Sequence, residues 1–209
     1  MDQLSSLTLD DVVAFLNTTD GRDRFTRCLQ YGCLALAPSA SITKFYDALS
    51  MARKVLRMSK SMDIWNQLAT SCKYAFDDYA RLGLLGFYFS DHLIWAQRIG
   101  FIQLSKKSQA TIKLLKSSLW LVVLLSTITR CIRRIIAVYN DQKNEEGNSE
   151  QKKNVALLTK IVARSSLDLP ICLYFAGVLK VPSRLVGLLG LVSSLMALQN
   201  TDSKIDPIL

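Results

Sequence analysis

The sequence predicts an all-α protein, a helical integral membrane bundle with amphipathic interfacial helices. Three observations carry that expectation. Apolar residues recur at helical spacing through almost the whole chain and never alternate strictly for more than a few residues, which argues against strands. Half of the 209 residues are hydrophobic, at a mean hydropathy of +0.20, although the net charge is +9. Soluble basic proteins generally reach such a charge by giving up apolar content. Several apolar runs also approach the roughly 20 residues that a bilayer-spanning helix needs.

The elements follow in order. "TLDDVVAFLNT" opens a helix at about residue 8, with Thr8 as N-cap and Asp11 placed to answer it. "DGRDRFTRCLQYGCLAL" continues or restarts that helix to about residue 36. Asp20–Arg24 and Asp23–Arg27 are spaced for i,i+4 pairs, Phe25, Leu29 and Leu36 form a stripe, and Pro38 marks a stop. Further helices are expected over 41–60, 66–100, 108–139 and 152–200, with Pro170 and Pro182 kinking or breaking the last region. The polar tract "NDQKNEEGNSEQKKN", 140–154, reads as the one clear loop. It divides an N-terminal helical region, 1–139, from a C-terminal membrane-embedded region, 155–209.

Three segments bear on membrane insertion. Residues 117–129 give 13 uncharged positions between Lys116 and Arg130, residues 169–179 give 11, and residues 185–201 give 17 and make the best span. Gly187, Gly190, Ser194 and Ala197 place small residues on one face of that last helix, the pattern of close helix–helix packing, so self-association is expected through it. The start, "MDQLSSLTLDD", carries acids where a secretory or mitochondrial leader needs basic residues, so any targeting signal is expected to be internal. The cysteines, Cys28, Cys33, Cys72, Cys131 and Cys172, are scattered and read as reduced, mostly buried thiols.

"FYDALSMARKVLRMSK", 45–60, is the most informative stretch. Between Lys44 and Lys60 five basic residues face a single acid, Asp47. On a helical wheel Phe45, Leu49, Ala52 and Leu56 fall on an apolar side, and Arg53, Lys54, Arg57 and Lys60 on the other. Such a helix, over about 41–62, is expected to lie in an anionic membrane surface, its apolar side among the acyl chains and its cations, with Lys44, at the headgroups. Nucleic acid is a poor alternative, because the basic residues are dispersed among apolar stretches without exposed stacking aromatics. No enzyme is expected: His92 is the single histidine, no phosphate-binding glycine loop occurs, and neither cofactor nor metal is called for. "SDH", 90–92, reads as a polar helix patch, and Asp77 and Asp78 as solvated helix residues.

Five collinear blocks then carry a resemblance: "DGRDRFTRCLQY" (20–31), "LSMARKVLRMSK" (49–60), "FSDHLIWAQRIGFI" (89–102), "DLPI" (168–171) and "VGLLGLVSSLMAL" (186–198). In this order and spacing the chain resembles the peroxin-11 family of peroxisomal membrane proteins. The resemblance implies an α-helical integral protein of the peroxisomal membrane that bends, elongates and divides the organelle through an amphipathic helix matching 44–60. It further implies the fission machinery, a dynamin-related GTPase and its adaptors, as partners. An oligomeric metabolite pore, lined by residues such as Arg130, Arg133 and Arg134, is the alternative it also carries.

Overall fold

The structure is a computed structural model that describes residues 8–36, 39–71, 76–141 and 149–199. Seven helices account for nearly all of them: α1 (Leu9–Leu16), α2 (Thr19–Ala35), α3 (Ala40–Ser71), α4 (Phe76–Arg98), α5 (Lys106–Asp141), α6 (Ser149–Phe175) and α7 (Ser183–Gln199). No strand occurs among the described residues.

Local chemistry sets the boundaries. Thr8 caps α1, accepting from the Asp11 amide, while the Asp11 carboxylate accepts from the Thr8 amide at 3.0 Å. The chain restarts at Thr18, whose side chain accepts from the Gly21 amide and so separates α2 from α1. Gly21 is required here, since a Cβ would lie 2.0 Å from the Phe15 carbonyl oxygen. Gly100, at φ 81°, ends the turn after α4.

Two expected boundaries are corrected. The connection expected between residues 60 and 66 is absent, because "SMDIW" holds no breaker and α3 runs on to Ser71. The polar loop is shorter than 140–154: α5 continues through Asp141 and α6 begins at Ser149, since Glu, Gln and Lys are good helix formers however polar they are. Pro170 lies inside α6 without ending it, whereas Pro182 directly precedes α7. Pro38, Cys72 and residues 142–148 lie outside the described residues.

Six helices close into a ring. Each from α2 to α7 packs on its neighbour in sequence, α7 returns to pack on α2, and no other pair among the six comes into backbone contact. The apolar clusters are small and set apart. Ile64, Leu68, Leu84, Phe87 and Val123 join α3, α4 and α5. Tyr31, Ile171 and Val186 join α2, α6 and α7, and Trp120 touches both groups. Cys131, Leu158 and Ile161 hold the far ends of α5 and α6. Of the cysteines, Cys131 and Cys172 are buried, and Cys28 and Cys33 half-buried.

No helix among the described residues is long and apolar enough to cross a membrane. Of the three segments expected to span, 117–129 lies within α5, 169–179 runs from the end of α6 into the turn at Gly177, and the described part of the third, 185–199, lies in α7. Lys116 and Arg130 bound the apolar run in α5, and α7 has only 17 residues.

Gly187, Gly190, Ser194 and Ala197 are buried, and the helix they pack against is α2 of the same chain. A Cβ at position 187 would lie 2.3 Å from the Ala35 amide nitrogen, and one at 190 would lie 2.2 Å from the Tyr31 ring. Arg24 donates to the Ala197 carbonyl at 2.9 Å, fastening the same seam. Gly187→Ala should therefore cost about 1–3 kcal/mol, because backbone must move aside. Gly32→Ala, on α2 in open space, should gain about 0.5–1 kcal/mol. Chemical denaturation of the two variants checks the contrast.

Candidate functional site

α3 carries Arg53, Lys54, Arg57 and Lys60 within two turns, on one side of the helix. That side faces the interior of the ring: Arg53 and Lys54 are each 7% exposed, and the Arg57 and Lys60 side chains are largely covered. The outer side of α3 instead exposes Phe45, Ala52, Val55, Met62 and Trp65, interspersed with Ser59, Asp63 and Asn66. Lys44 is exposed as well, and Leu49 and Leu56 are half-buried at the edges. The helix is thus seated by its charged face. The cations expected at lipid headgroups lie inside the ring, because carboxylates of neighbouring helices meet them there.

Asp23 on α2 is the centre of that arrangement. Its carboxylate accepts from Arg53 Nε at 2.8 Å and from Lys60 Nζ at 3.2 Å, with Arg57 Nε 3.7 Å away. Arg53 also donates to Gln30 Oε1 at 2.8 Å, and Lys60 to Asp20 at 2.6 Å. Asp91 on α4, fully buried, pairs with Arg57 and with Lys116 of α5, the latter at 2.5 Å. Arg27 turns from its expected i,i+4 partner Asp23 to Asp168 on α6, at 2.6 Å, and Ser193 on α7 donates to the same carboxylate at 2.6 Å. Asp20–Arg24 does form, at 2.5 Å. Every helix of the ring contributes to this ionic layer. Aromatic rings line it, with Arg57 5.3 Å from the Phe87 ring centre and Arg27 5.5 Å from that of Tyr31.

Other sequence readings resolve here. Ser90 donates to the Gly86 carbonyl while Asp91 enters the ionic layer, so "SDH" splits between two roles. Asp78, expected in solvent, is buried and paired with Arg81 at 3.1 Å, and the Asp77 side chain lies outside the described residues. Arg133 and Arg134 lie on the exposed side of α5, with Arg130 half-buried.

The model of the peroxisomal biogenesis factor 11 (PEX11) family matches residues 9–201, nearly the whole chain. The chain belongs to the PEX11 family. Among curated proteins, peroxisomal membrane protein 11B of Arabidopsis thaliana is 32% identical over 48% of this chain and 51% of its own length. The chain thus spans about half the length of that curated relative. No solved structure matches it. The blocks that resemble PEX11 proteins contain most of the ionic layer: Asp20, Asp23, Arg27 and Gln30 in the first, Arg53 to Lys60 in the second, Asp91 in the third, Asp168 in the fourth and Ser193 in the fifth.

Burial alone would raise the carboxyls of Asp23 and Asp91. Arg53 beside Asp23 and Arg57 beside Asp91, helped by the lysines, hold both far below the usual carboxylate range. Lys54 differs: it donates to the Ser50 carbonyl and hydroxyl on its own helix, and burial pushes its ammonium down to about 8 despite the attraction of Asp91. Removing one carboxylate strands buried cations, so Asp91→Ala should cost about 3–5 kcal/mol. Lys54→Met should be neutral or stabilising near pH 7. The unfolded chain holds the Lys54 proton up to about 10.5 and the folded chain only up to about 8, so between those values the unfolded state binds more protons and stability rises with pH. Denaturation of wild type and Lys54→Met across that range should show the additional rise in wild type alone.

Proposed function

We propose that this PEX11-family chain is a peroxisomal membrane protein that acts in peroxisome proliferation, elongating and promoting division of the organelle by laying α3 into the cytosol-facing leaflet. One observation carries the reading: α3 is docked by its charges, and its apolar side, with Phe45, Ala52, Val55, Met62 and Trp65, is turned outward. A solvated helix normally docks by its apolar side and leaves its charges in water. Among the described residues nothing covers Phe45, Ala52, Val55, Met62 and Trp65, and an acyl-chain boundary is the environment that suits these side chains.

Insertion of these side chains expands one leaflet relative to the other and converts binding energy into curvature. Exposed Lys44 directly precedes Phe45, where a headgroup phosphate is in reach of an interfacial helix. Self-association, and recruitment of a dynamin-related GTPase with its adaptors, belong to the same proposal and follow from the family. The small-residue seam of α7 is already used against α2, so self-association would require another surface.

The test uses the full chain with phosphatidylcholine–phosphatidylserine vesicles, read by sedimentation and electron microscopy. Val55→Asp combined with Met62→Asp should abolish vesicle binding and tubulation while the circular-dichroism spectrum stays that of the wild type, since both side chains are exposed. Arg53→Ala with Arg57→Ala should instead lower the melting temperature, because it removes buried partners of Asp23 and Asp91. Unaltered tubulation by a folded Val55→Asp, Met62→Asp protein would sink the proposal.

A further inference from the structure

We infer that the closed ring holds a binding site for a free phosphate ion, between Lys54 of α3 and Lys116 of α5 and beside Asp91 of α4. Every helix keeps its partners when this site fills, so the inference stands apart from the membrane reading of α3.

Charge does not balance at this place. Asp91 is fully buried and holds Arg57 and, at 2.5 Å, Lys116. Lys54, only 7% exposed, lies within electrostatic reach of the same carboxylate, but among the described residues it has no acid within ion-pair distance. One carboxylate therefore answers three cations. The neighbouring acids are taken: Asp23 accepts from Arg53 and Lys60, and Asp168 from Arg27. A buried ammonium in surplus either gives up its proton or acquires an anion. The lysines of the layer divide accordingly. Burial works against the ammonium of Lys60, yet Asp23 raises it above the usual lysine range. Lys54 and Lys116 are both pushed down, first by burial and then by repulsion from each other's side of the ring and from Arg57.

Unused donors gather at the same place. Lys54 Nζ donates to the Ser50 carbonyl at 3.1 Å and the Ser50 hydroxyl at 2.9 Å, which leaves its third N–H. Among the described residues Lys116 Nζ has Asp91 as its acceptor, with N–H groups to spare. Arg57 Nε is buried without a hydrogen-bond acceptor, Asp23 being 3.7 Å away. Arg57 and Lys116 both rest on the Phe87 ring, 5.3 Å and 5.1 Å from its centre, which holds them in place. Donors on separate side chains with two positive charges in excess suit a small dianion with several acceptor oxygens, and hydrogen phosphate is such an ion. Entry is open to an ion of that size, since the Lys116 side chain is 25% exposed. α3 and α5 make no backbone contact of their own, so the bound ion would tie together two helices that otherwise meet only through α4.

The experiment titrates the full chain with inorganic phosphate at pH 7 in chloride buffers of matched ionic strength, by calorimetry and by melting temperature. Wild type should bind one phosphate saturably and melt higher as phosphate is added. Lys54→Met should fold as wild type by circular dichroism and bind at least tenfold more weakly, whereas Lys54→Arg should retain binding. Lys113→Met, which removes an equal charge from the exposed side of α5, should bind as wild type. A second measurement needs no variant. Bound phosphate keeps Lys54 charged, so the rise of wild-type stability between about pH 8 and 10.5 should shrink when phosphate is present. Short-chain phosphatidic acid, below its micellar concentration, should leave the bound ion in place by phosphorus NMR. Displacement by that lipid would assign the site to a headgroup, equal weakening in Lys54→Met and Lys113→Met would mean diffuse attraction to a basic protein, and wild type without saturable binding would mean an empty, purely structural layer; each overturns the inference.

Discussion

The fold depends on Asp23. Its carboxylate is the place where α2 and α3 meet, and three cations of α3 converge on it. Without those cations a nearly buried carboxylate would have to be neutral or solvated. Without the carboxylate, α3 would have to seat its charges in the ring unpaired, at several kcal/mol apiece. Only the combination lets α3 dock by a polar side, and that choice of side settles what the ring presents outward. The apolar clusters are too small and too separated to dictate the arrangement on their own.

Asp91 and Asp168 extend the same logic around the ring. Asp91 ties α4 to α3 and α5, while Asp168 ties α6 to α2 and, through Ser193, to α7. These contacts are directional, so they fix helix rotation as well as proximity. Apolar packing then fills the space between, with Phe87 and Tyr31 shielding the cations from water and strengthening the pairs they flank. Glycine contributes at the α2–α7 seam, where Gly187 and Gly190 let the helices approach closely enough for Arg24 to reach the Ala197 carbonyl.

Much of this was legible in the sequence and some was not. The helices, the Thr8 cap and the small-residue face of α7 follow from periodicity and local chemistry, which act over a few residues. The amphipathic pattern of α3 was equally plain, but periodicity states only that charges share a side. Which side turns inward depends on acids far away in the chain: Asp91 is 34 residues from Arg57, and Asp168 is 141 from Arg27. One or two aspartates per helix look like ordinary surface positions until the fold brings them together. The signal that was present is the Asp and Arg spacing in "DGRDRFTR", too many charges of both signs for a helix that also carries Phe25 and Leu29. The 140–154 tract misled for the opposite reason, since polarity marks solvent exposure and not the absence of a helix.

The order of helices around the ring is the order of helices along the chain. Apart from one contact, each helix is added to the helix just completed, across a connection short enough that closing it is entropically cheap. The exception is the return of α7 to α2, which joins residues more than 150 positions apart. Folding is thereby divided into a sequence of local steps, which favour speed, and a single remote closure that converts an open string of hairpins into a ring. A chain that emerges from synthesis with α7 incomplete keeps the contacts from α2 to α6 but lacks both the packing of α7 on α6 and the closure on α2 that gives the molecule its circular form.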